Sequence, residues 1–156
     1  MSTFFARRVP PVAVWLVLAL LMAACRYAFS DAVLPIGAGM IVVLSIAPAV
    51  IGVLIAVAGV VAFRRADTTV DPRVPDRSSA LVTSGIYRYT RNPMYLGLAL
   101  ALAGWAAWLA HPAALIGPPA FVLWIHRMQI PFEERAMRAR FGEAFDRYRR
   151  TTRRWI

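Results

Sequence analysis

Three long apolar stretches set the hydrophobic pattern of the chain. The first runs from Val12 to Phe29, and the second, from Ala32 to Phe63, has no acidic or basic residue in 32 positions. The third covers residues 93–125 and contains no charged side chain and a single histidine, His111. Because a helix of ~20 apolar residues crosses a bilayer, the pattern predicts an all-α fold, a polytopic transmembrane helical bundle.

The lengths of these stretches predict how many times the chain crosses the membrane. As one helix the second stretch would be ~48 Å long, whereas the hydrocarbon core is ~30 Å thick. We therefore predict an interfacial lead at 34–40 and a span at about 41–63 that is kinked near Pro48. The third stretch breaks at a histidine–proline pair into a hairpin of about 94–110 and 113–130. The pattern predicts about four spans, and two short spans in the second stretch would make five.

The positions of the charges decide between the two counts. All 18 basic residues are arginines, and four spans place 17 of them on one side, whereas five spans would split them. Excess arginine marks the cytoplasmic side, so we predict an integral protein of the bacterial inner membrane with both termini cytoplasmic. The net charge of +10 does not indicate a nucleic-acid partner, because the arginines border the spans. We expect the first apolar stretch to be a retained span rather than a cleaved signal peptide.

Length and composition predict a single membrane domain over 1–156. Hydrophobic residues make up 60% of the chain, and the single cysteine, Cys25, excludes a disulfide framework. No metal-binding or Rossmann-type motif is present, so we expect no metal site. The domain divides into N-terminal spans (1–63), a cytoplasmic loop (64–93), a helical hairpin (94–130) and a cytoplasmic amphipathic C-terminal helix (131–156).

One polar segment leads directly into the third predicted span. In residues 85–97, GIYRYTRNPMYLG, Asn92 before Pro93 suits a helix N-cap followed by proline at the first helical position. The free N–H groups of that helix end favour an anionic group such as a carboxylate. Taken singly, Tyr87, Arg88 and Tyr89 are more typical of interfacial anchors.

A second polar segment follows the hairpin. In residues 133–148, EERAMRARFGEAFDRY, apolar residues recur at helical spacing opposite an arginine-rich face, which predicts an amphipathic helix on an anionic leaflet. Glu134–Arg138, Glu143–Arg147 and Asp146–Arg150 have the spacing of i,i+4 ion pairs. Glu133 and Glu134 could hold a cationic, hydroxyl-bearing ligand, but spacing alone favours a structural role for them.

Together the two segments resemble the superfamily of isoprenylcysteine carboxyl methyltransferases and phospholipid methyltransferases, which are integral membrane enzymes. Residues 85–97 are similar to its element G-x-Y-x-x-x-R-[HN]-P-x-Y-x-G. Residues 133–148 are similar to its element E-E-x-x-L-x-x-x-F-G-x-x-Y-x-x-Y, with Met137 in place of leucine and Phe145 in place of tyrosine. The resemblance covers about residues 70–155.

This resemblance implies transfer of a methyl group from S-adenosyl-L-methionine to a lipophilic acceptor that comes from the bilayer. By similarity, Arg91 and Glu134 form the catalytic set. Arg91 would orient an anionic group of the acceptor, either Glu133 or Glu134 would bind the ribose hydroxyls or the amino group of the cofactor, and the N–H groups after Asn92 would receive its carboxylate. The residues expected to bind the cofactor are Tyr87, Asn92, Pro93, Met94, Tyr95, Gly97, Glu133 and Glu134.

The acceptor is not specified by these motifs. Asn92 stands where members with isoprenylcysteine activity often have histidine, and the first half of the chain has no recognisable signature. An isoprenylcysteine-like carboxylate, a phospholipid and another small lipid therefore remain open. Two other functions also remain: a relative of the reductase branch that uses NADPH, and a non-enzymatic membrane protein whose arginine-rich helix binds anionic lipid or a partner.

Overall fold

The computed structural model of the chain describes residues 9–66 and 80–156, and within these ranges the protein is helical and has no β-strand. The all-α prediction is confirmed. Arg7, Arg8 and the part of the predicted loop at 67–79 lie outside the described residues. The helices are α1 (Pro11–Ala28), α2 (Ala38–Arg65), α3 (Pro93–Leu109), α4 (Gly117–Trp124) and α5 (Ile130–Thr151), with 3₁₀ turns at Gly85–Arg88 and Pro112–Ile116 and a π-helical segment at Ile125–Gln129.

Two of these helices, α1 and α2, are long and apolar enough to cross a membrane, and α3 is a shorter apolar helix. Helix α2 includes Pro48 but begins inside the predicted lead, at Ala38. Residues 32–37 are not helical, since Pro35 and Gly37 both disfavour a helix. The Leu34 N–H instead donates to the Ala110 carbonyl at 2.8 Å, which ties this segment to the end of α3.

The break predicted at the histidine–proline pair is present. Helix α3 ends at Ala110, which has a left-handed backbone with φ 45°. The following His111 is buried, and its Nδ1 accepts a hydrogen bond from the Ala113 N–H at 3.2 Å. From Pro112 onward the 3₁₀ turn, α4, the π-helical segment and α5 follow one another without a loop.

Glycines allow α2 and α3 to pack backbone against backbone. A Cβ atom at Gly97 would overlap the carbonyl oxygen of Gly52, and one at Gly104 would overlap that of Ser45. These two glycines therefore let α3 approach α2 closely. Helix α1 packs on the other side, where Trp15 Nε1 donates to the Leu98 carbonyl at 2.9 Å.

The apolar face of α5 packs on the protein itself. Phe145 and Tyr148 are buried in a cluster with Val82 and Tyr87, and Phe63 at the end of α2 packs against them. The prediction of an amphipathic helix is correct, but these aromatic rings are covered by protein and do not face a lipid leaflet. The helix is also interrupted at Gly142, whose φ of 51° and ψ of −126° are not helical.

Candidate functional site

The first motif forms a turn that leads into α3. Asn92 occupies the N-cap position of α3 with Pro93 as the first helical residue, as predicted. Its side chain, however, does not cap the helix. The Asn92 Nδ2 donates to the Arg154 carbonyl at 2.8 Å, while the Asn92 N–H donates to the Thr90 hydroxyl at 3.2 Å. The helix therefore starts with its first-turn N–H groups free of a side-chain cap.

Glu133 meets the first motif through Tyr95. The Tyr95 hydroxyl donates to Glu133 Oε1, and Gln129 Nε2 donates to the same oxygen at 2.8 Å. Gln129 is fully buried and lies in the π-helical segment, a type of helix distortion that is frequent at functional sites. Glu133 is thus surrounded by neutral donors.

Glu134 faces arginines. Arg91 Nη2 donates to its Oε1 at 2.8 Å, and Arg154 approaches both oxygens, with Nε at 2.9 Å from Oε1 and Nη2 at 2.7 Å from Oε2. Arg149 is further away, at 3.9 Å from Oε2. This arrangement differs from the i,i+4 pair predicted between Glu134 and Arg138. Arg138 instead pairs with Asp146, because the break at Gly142 redirects the helix.

The last residues of the chain pass over the first motif. The Arg91 N–H donates to the Arg153 carbonyl at 2.9 Å, and Arg91 Nη1 donates to the carbonyl of Thr152. The Thr90 hydroxyl donates to the Arg154 carbonyl at 3.2 Å. We name residues 152–156 the C-terminal strap, because its backbone and the Arg154 side chain connect the two motifs.

The remaining predicted cofactor residues have packing contacts. Pro93 and Met94 lie against Gly59 of α2, and Gly97 lies against Gly52. The Tyr87 ring packs on the Phe63 ring with centroids 5.2 Å apart. The backbone carbonyl of Tyr87 accepts a hydrogen bond from the Tyr148 hydroxyl at 2.7 Å. These contacts give the residues a structural role, and their binding to a cofactor stays a prediction.

The two adjacent carboxyl groups have opposite electrostatic environments. Burial raises the pKa of Glu133 to about 7, although the hydrogen bonds from Tyr95 and Gln129 oppose the rise. Burial would also raise the pKa of Glu134, but the hydrogen bonds and charges of Arg154 and Arg91 outweigh it and lower this pKa. Glu134 is therefore ionised at neutral pH, whereas Glu133 is present there in both its protonated and its ionised form. Such divergence between neighbouring titratable groups is typical of functional sites.

The site contains four residues that the sequence predicted, Arg91, Tyr95, Glu133 and Glu134, and two that it did not, Gln129 and Arg154. Gln129 precedes Glu133 by four residues, the spacing of helical side-chain neighbours, so this signal was available. Arg154 follows the end of α5, and no periodic pattern predicts where its side chain lies. His126, in the π-helical segment, lies beside the site. Its Nδ1 lies 3.2 Å from Trp155 Nε1 and its Nε2 lies 3.2 Å from Arg154 Nη1, so it contacts the strap.

The fold and the site together define a class of protein. It is all-helical, with two apolar helices of membrane-spanning length, and its polar site is built from two motifs. A family model described as phospholipid methyltransferase matches residues 40–144. Since the match covers more than half of the chain, the protein belongs to the phospholipid methyltransferase family, within the group of integral membrane methyltransferases that the motifs resemble. The match and the two apolar helices together indicate a membrane protein with methyltransferase activity.

A relative in Haemophilus influenzae, named only as an uncharacterized protein, is 40% identical over 63 residues. The alignment covers 40% of this chain and the whole length of that relative. No solved structure matches the chain significantly.

Proposed function

We propose that the protein transfers a methyl group from S-adenosyl-L-methionine to a lipophilic acceptor that enters from the bilayer at the cytoplasmic interface. The family supports methyl transfer. The observation that carries the proposal is the meeting of the two motifs, which are 38 residues apart at Tyr95–Glu133 and 43 residues apart at Arg91–Glu134. An isoprenylcysteine-like carboxylate, a phospholipid and another small lipid are the acceptor classes.

Glu133 is the better candidate for direct contact with the cofactor. Both of its hydrogen bonds, from Tyr95 and Gln129, go to Oε1, which leaves Oε2 for a ribose hydroxyl or an ammonium group. The first-turn N–H groups of α3, at Met94 and Tyr95, are placed to receive a carboxylate, because a helix N-terminus has unsatisfied donors and a positive dipole end. The residues present therefore fit a ligand that carries both an ammonium group and a carboxylate.

Glu134 fits a positioning role. Its two oxygens already accept three hydrogen bonds from Arg91 and Arg154, so little of its acceptor capacity remains for a ligand. Both terminal nitrogens of Arg91 are likewise engaged, with Glu134 and with the Thr152 carbonyl. We propose that this cluster holds the first motif and the strap in register, and that Arg91 acts on an anionic acceptor mainly through its charge.

When bound, S-adenosylmethionine would supply a methyl group on a positively charged sulfur. What the chain contributes is alignment and exclusion of water, which together account for up to ~7–11 kcal/mol of a barrier in favourable cases. Tyr95, Glu133 and Gln129 form a hydrogen-bonded row whose members hold one another in place. No covalent nucleophile is needed in this scheme.

The charge distribution supports a particular orientation of the protein. Four spans with both termini cytoplasmic would place 17 of 18 arginines inside, in agreement with the positive-inside rule. We propose this topology in a bacterial inner membrane, with α1, α2, α3 and the segment from the second 3₁₀ turn through the π-helical segment as the spans. Both motifs would then face the cytoplasm, where a water-soluble cofactor and a lipid acceptor can meet.

Calorimetric titration of the purified protein in detergent tests the cofactor. We expect saturable binding of S-adenosylmethionine and S-adenosylhomocysteine and no binding of NADPH. Glu133→Gln should weaken binding by about tenfold, because a neutral amide replaces a charge-assisted hydrogen bond. Glu143→Gln is the matched control, since Glu143 is an exposed glutamate on the same helix.

Two results would contradict the proposal. A response to NADPH alone would place the protein in the reductase branch. A folded sample that binds neither S-adenosyl compound, with and without a mixed lipid extract, would favour the non-enzymatic function. Equal weakening by Glu143→Gln would remove Glu133 from the site while leaving the cofactor assignment intact.

A further inference from the structure

A cleft rich in arginine lies between α5 and the first motif. It has a volume of about 390 Å³ and is lined by Arg91, Arg138, Asp146, Arg149 and Arg150. Small-molecule sites usually occupy ~300–1,000 Å³, so the cleft is large enough for a small ligand. Four positive side chains against one negative side chain give the lining a net charge of +3. Such a cleft selects an anion.

The break in α5 creates this cleft. In a straight helix, eight residues separate Arg138 from Asp146 by about 12 Å along the axis, yet Arg138 Nε lies 3.2 Å from Asp146 Oδ2. The bend comes from Gly142, whose φ of 51° and ψ of −126° are accessible to glycine and costly for other residues. The two halves of α5 thereby turn their arginines toward a common space.

The acids nearby do not neutralise the cleft. Asp146 is shared between Arg138 at 3.2 Å and Arg149 at 3.9 Å. Glu134 makes its short contacts with Arg91 and Arg154 and lies 3.9 Å from Arg149. Within residues 9–66 and 80–156, Arg150 has no ion pair. Two arginines, Arg149 and Arg150, thus have little or no direct neutralisation by a carboxylate.

Arg91 adds a buried donor to this positive surface. Its side chain is only 9% exposed, and its Nε–H is buried without a hydrogen-bond partner among the described residues. A buried donor without a partner is unfavourable, because the loss of its hydration is not offset by a hydrogen bond. Arg91 therefore contributes a largely buried positive charge to the lining of the cleft.

We infer that this arginine cleft binds a phosphate group, carried by a lipid headgroup or present as free phosphate. Arginine binds phosphate through paired, planar hydrogen bonds, and several arginines can surround a tetrahedral group that has three or four oxygens. A phosphomonoester carries about −1.5 to −2 charges at neutral pH, which matches the net charge of the cleft better than a single carboxylate does. The inference can be tested apart from the proposed methyl transfer, because inorganic phosphate is neither the cofactor nor one of the proposed methyl acceptors.

The cleft is open to water. The Arg138 side chain is 64% exposed and that of Arg149 is 37% exposed. Interactions at such positions are screened by salt, with a Debye length of ~10 Å at 0.1 M and ~3 Å at 1 M. Binding should therefore weaken as sodium chloride is added.

The full chain in a neutral detergent is titrated calorimetrically with inorganic phosphate and, separately, with dihexanoyl phosphatidic acid. The variants are Arg149→Gln and Arg150→Gln, and the matched control is Arg147→Gln, an exposed arginine on the same helix that does not line the cleft. We expect each cleft variant to weaken binding by at least about tenfold and the control to leave it within about twofold.

The two probes distinguish the sources of the phosphate. Comparable affinity for both would indicate free phosphate, and an affinity at least about tenfold higher for the short lipid would indicate a headgroup. The inference is overturned if a folded wild-type protein binds neither probe at low salt. It is equally overturned if Arg147→Gln weakens binding as much as Arg150→Gln, since general charge would then explain the result. Arg150→Gln keeps the test valid if Arg149→Gln unfolds.

Discussion

The side chains of the adjacent residues Glu133 and Glu134 lie in opposite electrostatic environments. Consecutive helical residues point about 100° apart, so Glu133 turns toward α3 while Glu134 turns toward the C-terminal strap. Glu133 meets a tyrosine hydroxyl and a glutamine amide, neither of which supplies a full positive charge. Glu134 meets two guanidinium groups. The charge state of each carboxyl therefore follows from the direction in which it points.

Replacing Glu133 with glutamine should change how stability depends on pH. Its pKa is about 7 in the folded protein and 4.5 as a free group, so between these values the folded state binds the proton more tightly. Stability is then highest below about pH 4.5 and falls as pH rises to about 7. The loss is on the order of 3 kcal/mol at about 1.4 kcal/mol per pH unit. In Glu133→Gln this fall should disappear.

Thermal unfolding in detergent, recorded between pH 4.5 and 8 for both proteins, measures the difference. Glu134 does not interfere, because its lowered pKa places its own loss of stability below this window. A parallel decline in the two proteins would mean that another group titrates and that Glu133 is already ionised at pH 5.

Replacement of Arg154 should destabilise the protein through Glu134. Arg154 donates to both carboxylate oxygens, and Arg154→Ala would leave the largely buried carboxylate with Arg91 as its close partner. A hydrogen bond to a charged group contributes about 1.5–3 kcal/mol, so we expect a loss of about 2 kcal/mol. Arg154→Lys should lose about half as much, because it keeps the charge without the paired geometry.

The comparison for this variant is Arg153→Ala, which changes the adjacent arginine of the strap. Arg153 is exposed, and among the described residues its side chain makes one hydrogen bond, to the Ile156 carbonyl at 3.5 Å, so its removal should leave chemical or thermal unfolding nearly unchanged. If both alanine variants lost stability equally, the Arg154–Glu134 pair would not be the reason.

At the scale of helices, the contact between α2 and α3 depends on residues without side chains. Because Gly97 lies against the Gly52 carbonyl, Gly97→Ala would force the helices apart. Overpacking of this kind typically destabilises by about 1–3 kcal/mol. The unfolding temperature of the variant in detergent should fall accordingly.

For Gly39→Ala, a substitution in α2, we expect no loss of stability. A Cβ atom at Gly39 would meet nothing within 4 Å, and alanine favours a helix over glycine by up to about 1 kcal/mol. This variant should be neutral or slightly more stable. A Gly97→Ala protein as stable as Gly39→Ala would show that α2 and α3 are not in close contact.

Helix positions were largely predictable, because long apolar runs without charges have few alternatives. α1 lies within one residue of the run from Val12 to Phe29, and the turn falls at the predicted histidine. The break in α5 was not predicted, since Gly142 fits a helical period and a single glycine within a helical pattern is tolerated. The π-helical segment that carries Gln129 was missed for the same reason: nothing local requires it.

At the scale of the whole molecule, the site is assembled from segments that are distant in sequence. The turn at 85–92 is held by α5 through the Tyr148 hydroxyl and by the strap through the carbonyls of Arg153 and Arg154. The resemblance implied that the two motifs contribute to one site. The sequence could not predict the strap, whose path depends on backbone carbonyls that every residue has.

Removal of the strap should therefore loosen the first motif without unfolding the bundle. In a chain ended after Thr151, the Arg91 N–H and the side chains of Thr90 and Asn92 lose the carbonyls that accept their hydrogen bonds. Local opening raises amide exchange where hydrogen bonds are lost and leaves independent regions unchanged. We expect exchange at residues 85–92 to accelerate by at least about tenfold, while α2 and α3 around Gly52 and Gly97 keep their protection.

Deletion of Ile156 alone is the control, because this side chain is largely exposed and the carbonyls of residues 152–154 remain. Hydrogen-exchange mass spectrometry of the three proteins separates the outcomes. Uniformly faster exchange in the shortened chain would mean that the strap stabilises the whole bundle. Unchanged exchange at residues 85–92 would mean that α5 alone holds the motif, so that Arg154 would influence the site only through its ion pair with Glu134.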